Sequence, residues 1–261
     1  MTNSNVSQIP LLTHAEGKLI RSLARRKNRD ALCLFLAEGP KTVDELLRYF
    51  PCRLLVVKKE LAEDYINMEC LRVATETELS RYSLQKAPQG VMGVFEKPTL
   101  TTCPDDLSLP LSFALDGIQD PGNLGTILRT ADWMGIRTVF ASPDTVDCFS
   151  PKVVQSTMGA LGRVRVIYTD LPPLLERLGA SGTAVCGTFM QGENLYEADV
   201  PAPTLIVMGN EGNGIRPEVE EACTRRLTIP RYVPESESSE SLNVAIATAI
   251  ILAEIKRRTR G

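Results

Sequence analysis

Histidine is almost absent from this 261-residue chain. His14 is the only one, and the seven cysteines (33, 52, 70, 103, 148, 186 and 223) stand singly, with no C-x-x-C pair. That scarcity excludes zinc sites of ordinary ligand spacing, and no metal is expected. The simplest reading of the cysteines is reduced thiols in a cytoplasmic protein. No apolar run approaches the roughly 20 residues that a membrane-spanning helix needs. The polar opening MTNSNVSQIP has none of the apolar stretch of a secretion signal. A large charge of one sign is missing too: the net charge of −3 argues against an indiscriminate polyanion binder.

The charge that is present is unevenly placed. Residues 1–100 carry 15 Lys and Arg against 12 Asp and Glu, whereas residues 101–261 carry 14 against 20. Lys18, Arg21, Arg25, Arg26, Lys27 and Arg29 fall within twelve residues. Contact with nucleic acid is expected to begin there, the plain alternative being a solvated helix face.

The stretch 98–110, PTLTTCPDDLSLP, has three prolines and no helical periodicity and reads as a linker between domains at 1–97 and 111–261. In the first domain the spacing predicts a basic helix near 16–28 and further helices at 42–49 and 76–84. Strands are expected at 31–37, 53–57 and 90–95, with a short element at 71–73, which makes a small α/β module. In the second, strands at 111–115, 137–141, 164–168, 183–189, 204–208 and 226–229 alternate with helices at 123–134, 151–159, 172–179, 216–222 and 242–258. That alternation predicts a mostly parallel sheet covered on both faces. Leu242–Ala253 (LNVAIATAIILA) carries no charge and is apolar around most of its circumference. Such a helix is expected to be enclosed, either within the domain or at a subunit interface. Lys256, Arg257, Arg258 and Arg260 then suit its carboxyl end, where cations meet the helix dipole favourably. That reading is preferred to an RNA-binding tail.

Three loops carry the chemistry. The first joins a strand to a helix through Asn123-Leu-Gly-Thr-Ile-Leu-Arg129, at the carboxyl end of a strand, where open α/β sheets place ligands. Asn123 is also suited to an Asx turn after Pro121-Gly122. The second runs from the apolar strand ending at Met208 through Gly209-Asn-Glu-Gly-Asn-Gly214, and it matches neither a phosphate loop nor a dinucleotide fingerprint. The third begins at Ile229-Pro230 and reaches Ser241-Leu-Asn243 at the last helix, where Ser241 reads as the cap.

In this order, N-x-G-x-x-x-R, G-N-E-G-x-G and I-P…S-L-N-V resemble the SpoU (TrmH-type) family of RNA ribose 2′-O-methyltransferases, of the SPOUT class, over about 109–258. The amino-terminal part is similar to that family's small L30e-like substrate-binding domain, through RSLARRKNRD, Phe35–Gly39 and Ala87–Val91. The resemblance implies an α/β fold: a carboxyl-terminal SPOUT domain with a parallel sheet and a trefoil knot, beside an L30e-like α/β domain. It implies homodimers packed through the knotted domains, S-adenosylmethionine as cofactor, and RNA as partner, ribosomal before transfer RNA.

By the same resemblance Arg129, Asn123, Glu211, Ser241 and Asn243 are the candidate catalytic residues. Met208, Gly209, Asn210, Gly214, Ile229, Leu242 and Asn243 are the candidate cofactor contacts. Arg21, Arg25, Arg26, Lys27 and Arg29 are the candidate RNA contacts. Arg129 is open to three roles: base at the hydroxyl, clamp on a phosphate, or structural salt bridge. Asn123 is expected to support Arg129 or the RNA backbone, and Glu211 is able to pair with Arg129. One departure stands out. The family reads I-P-M-x-G with about six residues before S-L-N, whereas here Arg231–Pro234 and ESESSE intervene, without glycine and with about four extra residues. A non-catalytic RNA-binding protein on the same scaffold is the alternative that this departure raises.

Overall fold

The structure, a computed structural model, describes residues 8–99, 110–234 and 241–258. Most of the expected linker (100–109), the acidic patch 235–240 and Arg260 lie outside the described residues. By packing, the chain forms two units. Asp147–Arg163, assigned above to the carboxyl-terminal domain, groups with the amino-terminal unit.

The amino-terminal unit contains α1 (His14–Ser22), α2 (Arg26–Leu32), β1 (Leu34–Glu38), α3 (Pro40–Leu46), β2 (Cys52–Lys58), β3 (Leu71–Ala74), α4 (Glu76–Tyr82) and β4 (Val91–Glu96), together with α6 (Pro151–Thr157) from the later segment. Thr13 and Thr75 open α1 and α4 with capping boxes, each accepting from the amide three residues on while that Glu accepts from the Thr amide. The sheet runs β1-β4-β2-β3, with β4 antiparallel to both neighbours and β2 parallel to β3. Ile20, Leu36, Val56, Leu79 and Met92 pack into one core.

The basic helix expected over 16–28 is broken. The Ser22 carbonyl accepts from Asn28 Nδ2 at 2.9 Å, and the Leu23 and Ala24 carbonyls accept from Arg29 Nη1 at 2.8 and 3.0 Å. Side-chain donors thus satisfy the carbonyls of the break. Arg29 is only 3% exposed, and its Nε and Nη2 donate to Asp147 Oδ2 at 3.0 and 2.6 Å. This corrects the expectation for Arg29, which is a buried structural cation rather than an RNA contact.

The carboxyl-terminal unit contains β5 (Leu111–Leu115), α5 (Pro121–Trp133), β6 (Thr138–Ala141), β7 (Arg165–Tyr168), α7 (Leu171–Ala180), β8 (Ala184–Asn194), β9 (Thr204–Met208), α8 (Pro217–Glu221), β10 (Arg225–Thr228) and α9 (Val244–Arg258). Its six strands are all parallel, in the order β10-β8-β9-β5-β6-β7. From β5 the chain builds outward through β6 and β7, then crosses back, and β9 returns to lie against β5. Leu115 pairs with Met208, so the first two loops leave the sheet side by side at this switch point. Phe140, Leu171, Leu175, Leu205, Val207 and Val219 form the core.

α9 packs against α5 and buries Val244, Ala245, Thr248, Ile251, Leu252 and Ile255. It is not enclosed on nearly all sides within the single chain, because Leu242 and Ile246 are 49% and 52% exposed and Trp133 of α5 is 88% exposed. The arginines at its end are used structurally. Arg257 and Arg258 bond Glu254, and Arg258 also donates to the Ala198 and Leu195 carbonyls.

Removing one partner of a buried ion pair leaves an uncompensated charge. Arg29→Ala is therefore expected to cost about 3–5 kcal/mol of stability, read from urea unfolding. A loss below about 1 kcal/mol would show that the pair with Asp147 is not formed.

Candidate functional site

Each loop is built by local capping and tight-turn chemistry. Asp120 caps α5, its Oδ1 accepting from the Asn123 amide at 2.8 Å, and Pro121 takes the first helical position. Asn123 is therefore inside the first turn rather than forming an Asx turn of its own, and its side chain is available for other bonds. Its Nδ2 donates to Glu211 Oε1 at 3.0 Å, and its Oδ1 accepts from Asn243 Nδ2 at 2.9 Å. One unbroken run of side-chain hydrogen bonds thus joins a residue from each of the three loops.

In the second loop Asn210 and Gly214 exchange backbone hydrogen bonds of 2.8 and 3.0 Å. The Asn210 side chain accepts from the amides of Gly212 and Asn213 and donates to the Gly117 carbonyl at 2.6 Å. Its side-chain amide and its backbone therefore both brace the loop. Gly209 admits no side chain, because a Cβ there would lie 2.3 Å from the carbonyl carbon of Gly214. Gly214 itself has φ +72°, a conformation that favours glycine. Glu211, half-buried, also accepts from the amides of Gln119 and Asp120, both at 3.4 Å.

Asn243, not Ser241, caps α9: its Oδ1 accepts from the amides of Ala245 and Ile246 at 3.0 and 3.3 Å. The helix begins at Val244, so Ser241 lies too far upstream for the cap. Ser241 is exposed, and Ile229 is half-buried.

Arg129 is exposed on α5, and among the described residues it has no hydrogen-bond or ion-pair partner. Glu211 turns to Asn123 instead of Arg129, and among the described residues no salt bridge occupies the guanidinium. Sequence reasoning passed over a different arginine. Arg216, at the end of the second loop, binds Asp116 through its backbone amide (2.8 Å), Nε (2.8 Å) and Nη2 (2.7 Å), with Glu218 at 3.6 Å. The hydrogen bond to Asp116 holds the Arg216 guanidinium above its ordinary pKa.

In the amino-terminal unit Arg25, Arg26 and Lys27 are exposed, and Arg21 donates to the Ser83 carbonyl at 3.0 Å. A cavity of about 550 Å³ in the same unit is lined by Glu38, Gln85, Lys86, Gln89, Lys152 and Gln155, among others. Burial pushes the Glu38 carboxyl up, against hydrogen bonds from the Ser83 hydroxyl and the Leu84 amide. Among the described residues no three His, Cys, Asp or Glu side chains cluster as metal ligands, and no helix is long and apolar enough to cross a membrane.

Comparison with known proteins adds to this geometry. Residues 110–253 match the SpoU rRNA methylase family, and residues 16–93 match the MRM3-like substrate binding domain. The chain is 30% identical to the Bacillus subtilis protein RlmP, named a 23S rRNA guanosine 2′-O-methyltransferase, over 96% of this chain and 100% of that one. Of other curated relatives it spans less, 53% of a Synechocystis protein and 59% of a Neisseria meningitidis protein. Among solved structures, a Porphyromonas gingivalis protein assigned to the TrmH family of RNA methyltransferases superposes with a TM-score of 0.85 at 43% identity, covering 95% of this chain and 99% of that one. A Sinorhizobium meliloti rRNA methyltransferase, solved with AdoMet bound, gives 0.82 at 30% identity, covering 96% and 97%. The parallel-sheet α/β unit and the small amino-terminal domain are thus shared with SpoU/TrmH structures along nearly the whole chain.

Proposed function

The chain belongs to the SpoU rRNA methylase family, and from that membership we propose that it transfers the methyl group of S-adenosylmethionine to a ribose 2′-hydroxyl of RNA. Ribosomal RNA is the favoured substrate, since RlmP carries a 23S rRNA name and this chain matches it end to end. Transfer RNA is the alternative. The observation that carries the reading is the Glu211–Asn123–Asn243 run, which brings the three family motifs to one place.

The residues fit the cofactor. Adenosine and a thioether need shape and a few backbone bonds rather than charged partners. The backbone at the end of β9 with Gly209 and Gly214, the half-buried Ile229 and the backbone at Leu242 offer that kind of surface, with the Met208 side chain buried beneath, while Asn210 and Asn243 brace the two loops that would hold it. S-adenosylmethionine supplies a methyl group activated on a sulfonium. What the chain must do is orient the ribose and let its hydroxyl lose a proton. A guanidinium keeps its proton, so Arg129 acts as a clamp on an RNA phosphate rather than as a base. Among the described residues it has no carboxylate partner, which leaves it available for that. Asn123, oriented from both sides by Glu211 and Asn243, is placed to bond the ribose or its phosphate, and Ser241 borders the same site.

RNA docks first on the amino-terminal unit, through Arg21, Arg25, Arg26 and Lys27. The exposed face of α9 and α5, with Leu242, Ile246 and Trp133, is covered by a second copy of the chain in a homodimer. We take the trefoil threading of α9 and a cytoplasmic location as parts of the same reading.

Calorimetry with S-adenosylmethionine tests the enzyme against the non-catalytic RNA binder. Binding is expected, and its absence at millimolar cofactor ends the enzyme reading. Arg129→Ala is expected to lose methyl transfer by at least about 10²-fold with cofactor affinity retained, and full turnover in that variant would remove Arg129 from the mechanism. Replacing Arg25, Arg26 and Lys27 by Gln is expected to make the salt dependence of RNA binding shallower by about two units, while an unchanged slope assigns them to a solvated face. Sedimentation of Trp133→Glu and Ile246→Glu is expected to show monomers where the parent chain is dimeric. Dimers in both variants would place the interface elsewhere.

A further inference from the structure

Asp116 stands at the carboxyl end of β5 with no exposed surface. The backbone amide of Arg216 donates to its Oδ2, and Nε and Nη2 of the same arginine donate to its Oδ1. A carboxylate this deeply enclosed is stable as an ion only when paired and hydrogen-bonded, so the pair fixes the position of Arg216 closely. Arg216 ends the second loop. The start of that loop is anchored at the same residue, because the Asp116 amide donates to the Met208 carbonyl at 2.8 Å. The chain therefore leaves β9 beside Asp116, makes the turn closed by Asn210 and Gly214, and comes back to Asp116 at Arg216.

Glu211 rides on that turn, and its own attachments are light. It holds Asn123 Nδ2 at 3.0 Å, but its two contacts to backbone amides are long, at 3.4 Å each. Hydrogen bonds at that length weaken steeply and do not set a loop's geometry. The Asn210 side chain, bonded to the Gly117 carbonyl at 2.6 Å, braces the turn itself, and the clamp at Asp116 fixes the two ends from which the turn springs.

We propose that Asp116 and Arg216 are positioning residues for methyl transfer, their ion pair setting the second loop so that Glu211 meets Asn123 and, through it, Asn243. Neither residue touches the reacting atoms; both act through Glu211. The inference rests on the methyltransferase reading, and misplacement by about 1 Å is enough to cost about 10²-fold in rate.

Single-turnover methyl transfer at saturating cofactor and RNA is the first test. Asp116→Asn and Arg216→Ala are expected to slow it by about 10- to 100-fold, and Arg216→Lys, which keeps a charge beside Asp116, to recover part of the loss. Combining Arg216→Ala with Glu211→Gln is expected to be no slower than the slower single variant, because the two act in series. A double variant that shows the product of both losses overturns the proposal, as does a wild-type rate in Arg216→Ala.

A second readout needs no turnover. The side-chain amide resonance of Asn123, identified by its loss in Asn123→Asp, is expected to move in Asp116→Asn and Arg216→Ala towards its position in Glu211→Gln. If Arg216→Ala does not fold, Arg216→Lys carries both readouts. An unmoved resonance overturns the proposal whatever the activity. A moved resonance in a protein whose wild type transfers no methyl group overturns the methyltransferase reading alone.

Discussion

The parallel pairing of β5 with β9 is the constraint on which the site depends. These strands are far apart in sequence, yet their register places Leu115 opposite Met208. Three polar links between the first and second loops lie just beyond that pair: Asp116 with Arg216, Gly117 with Asn210, and Asn123 with Glu211. A register slip of one residue would turn the side chains of a strand to the opposite face and uncouple all three. The apolar runs LSFAL and TLIVM, buried on both faces, resist such a slip. Thus the hydrophobic core, which takes no part in chemistry, sets the distance between groups that do.

Within that frame the site is held mainly by neutral amides. Asn123 donates to a carboxylate and accepts from another amide at once, which neither Asp nor Leu can do. Asn210 and Asn243 work the same way, each bracing its own loop or helix while reaching across to the next. Charge is distributed differently. Arg29, Arg216 and Arg258 are bound to carboxylates or carbonyls, whereas Arg129 is left with no partner among the described residues. A bound arginine has already given its donors to the fold. One without a partner among the described residues still has a fork of donors to offer.

Much of this was legible from residue patterns. Period-2 and period-3.6 spacing located the six strands and the helices of the carboxyl-terminal unit to within a few residues at most ends, because burial on a sheet or helix face is what the pattern records. The motif loops were legible because Gly and Asn cluster where the backbone turns tightly. Long-range pairing left no such trace. Nothing in RRKNRD distinguishes buried Arg29 from its exposed neighbours, since Asp147 lies far along the chain. The same holds for Asp116 and Arg216, and for the packing of Asp147–Arg163 with the amino-terminal unit. Ser241 and Asn243 are both good caps, and only the starting point of α9 decides between them. The T-x-x-E boxes at Thr13 and Thr75 were open to reading and mark helix starts that periodicity alone blurs.

The last helix joins these points. It and the residues leading into it are more apolar than their surroundings in one chain require, since Ile246 in its first turn and Leu242 just before it are exposed. Leu242 adjoins Asn243, which caps the helix and also bonds Asn123. On the homodimer reading, the surface that a second copy covers therefore runs directly into the amide that closes the site. Burying Leu242 would hold the first turn of α9, and with it the Oδ1 cap and the Nδ2 bond of Asn243, against fraying. Assembly and order at the site are then coupled through one residue. On the same reading, an isolated chain would hold Asn123 from the Glu211 side more firmly than from the Asn243 side.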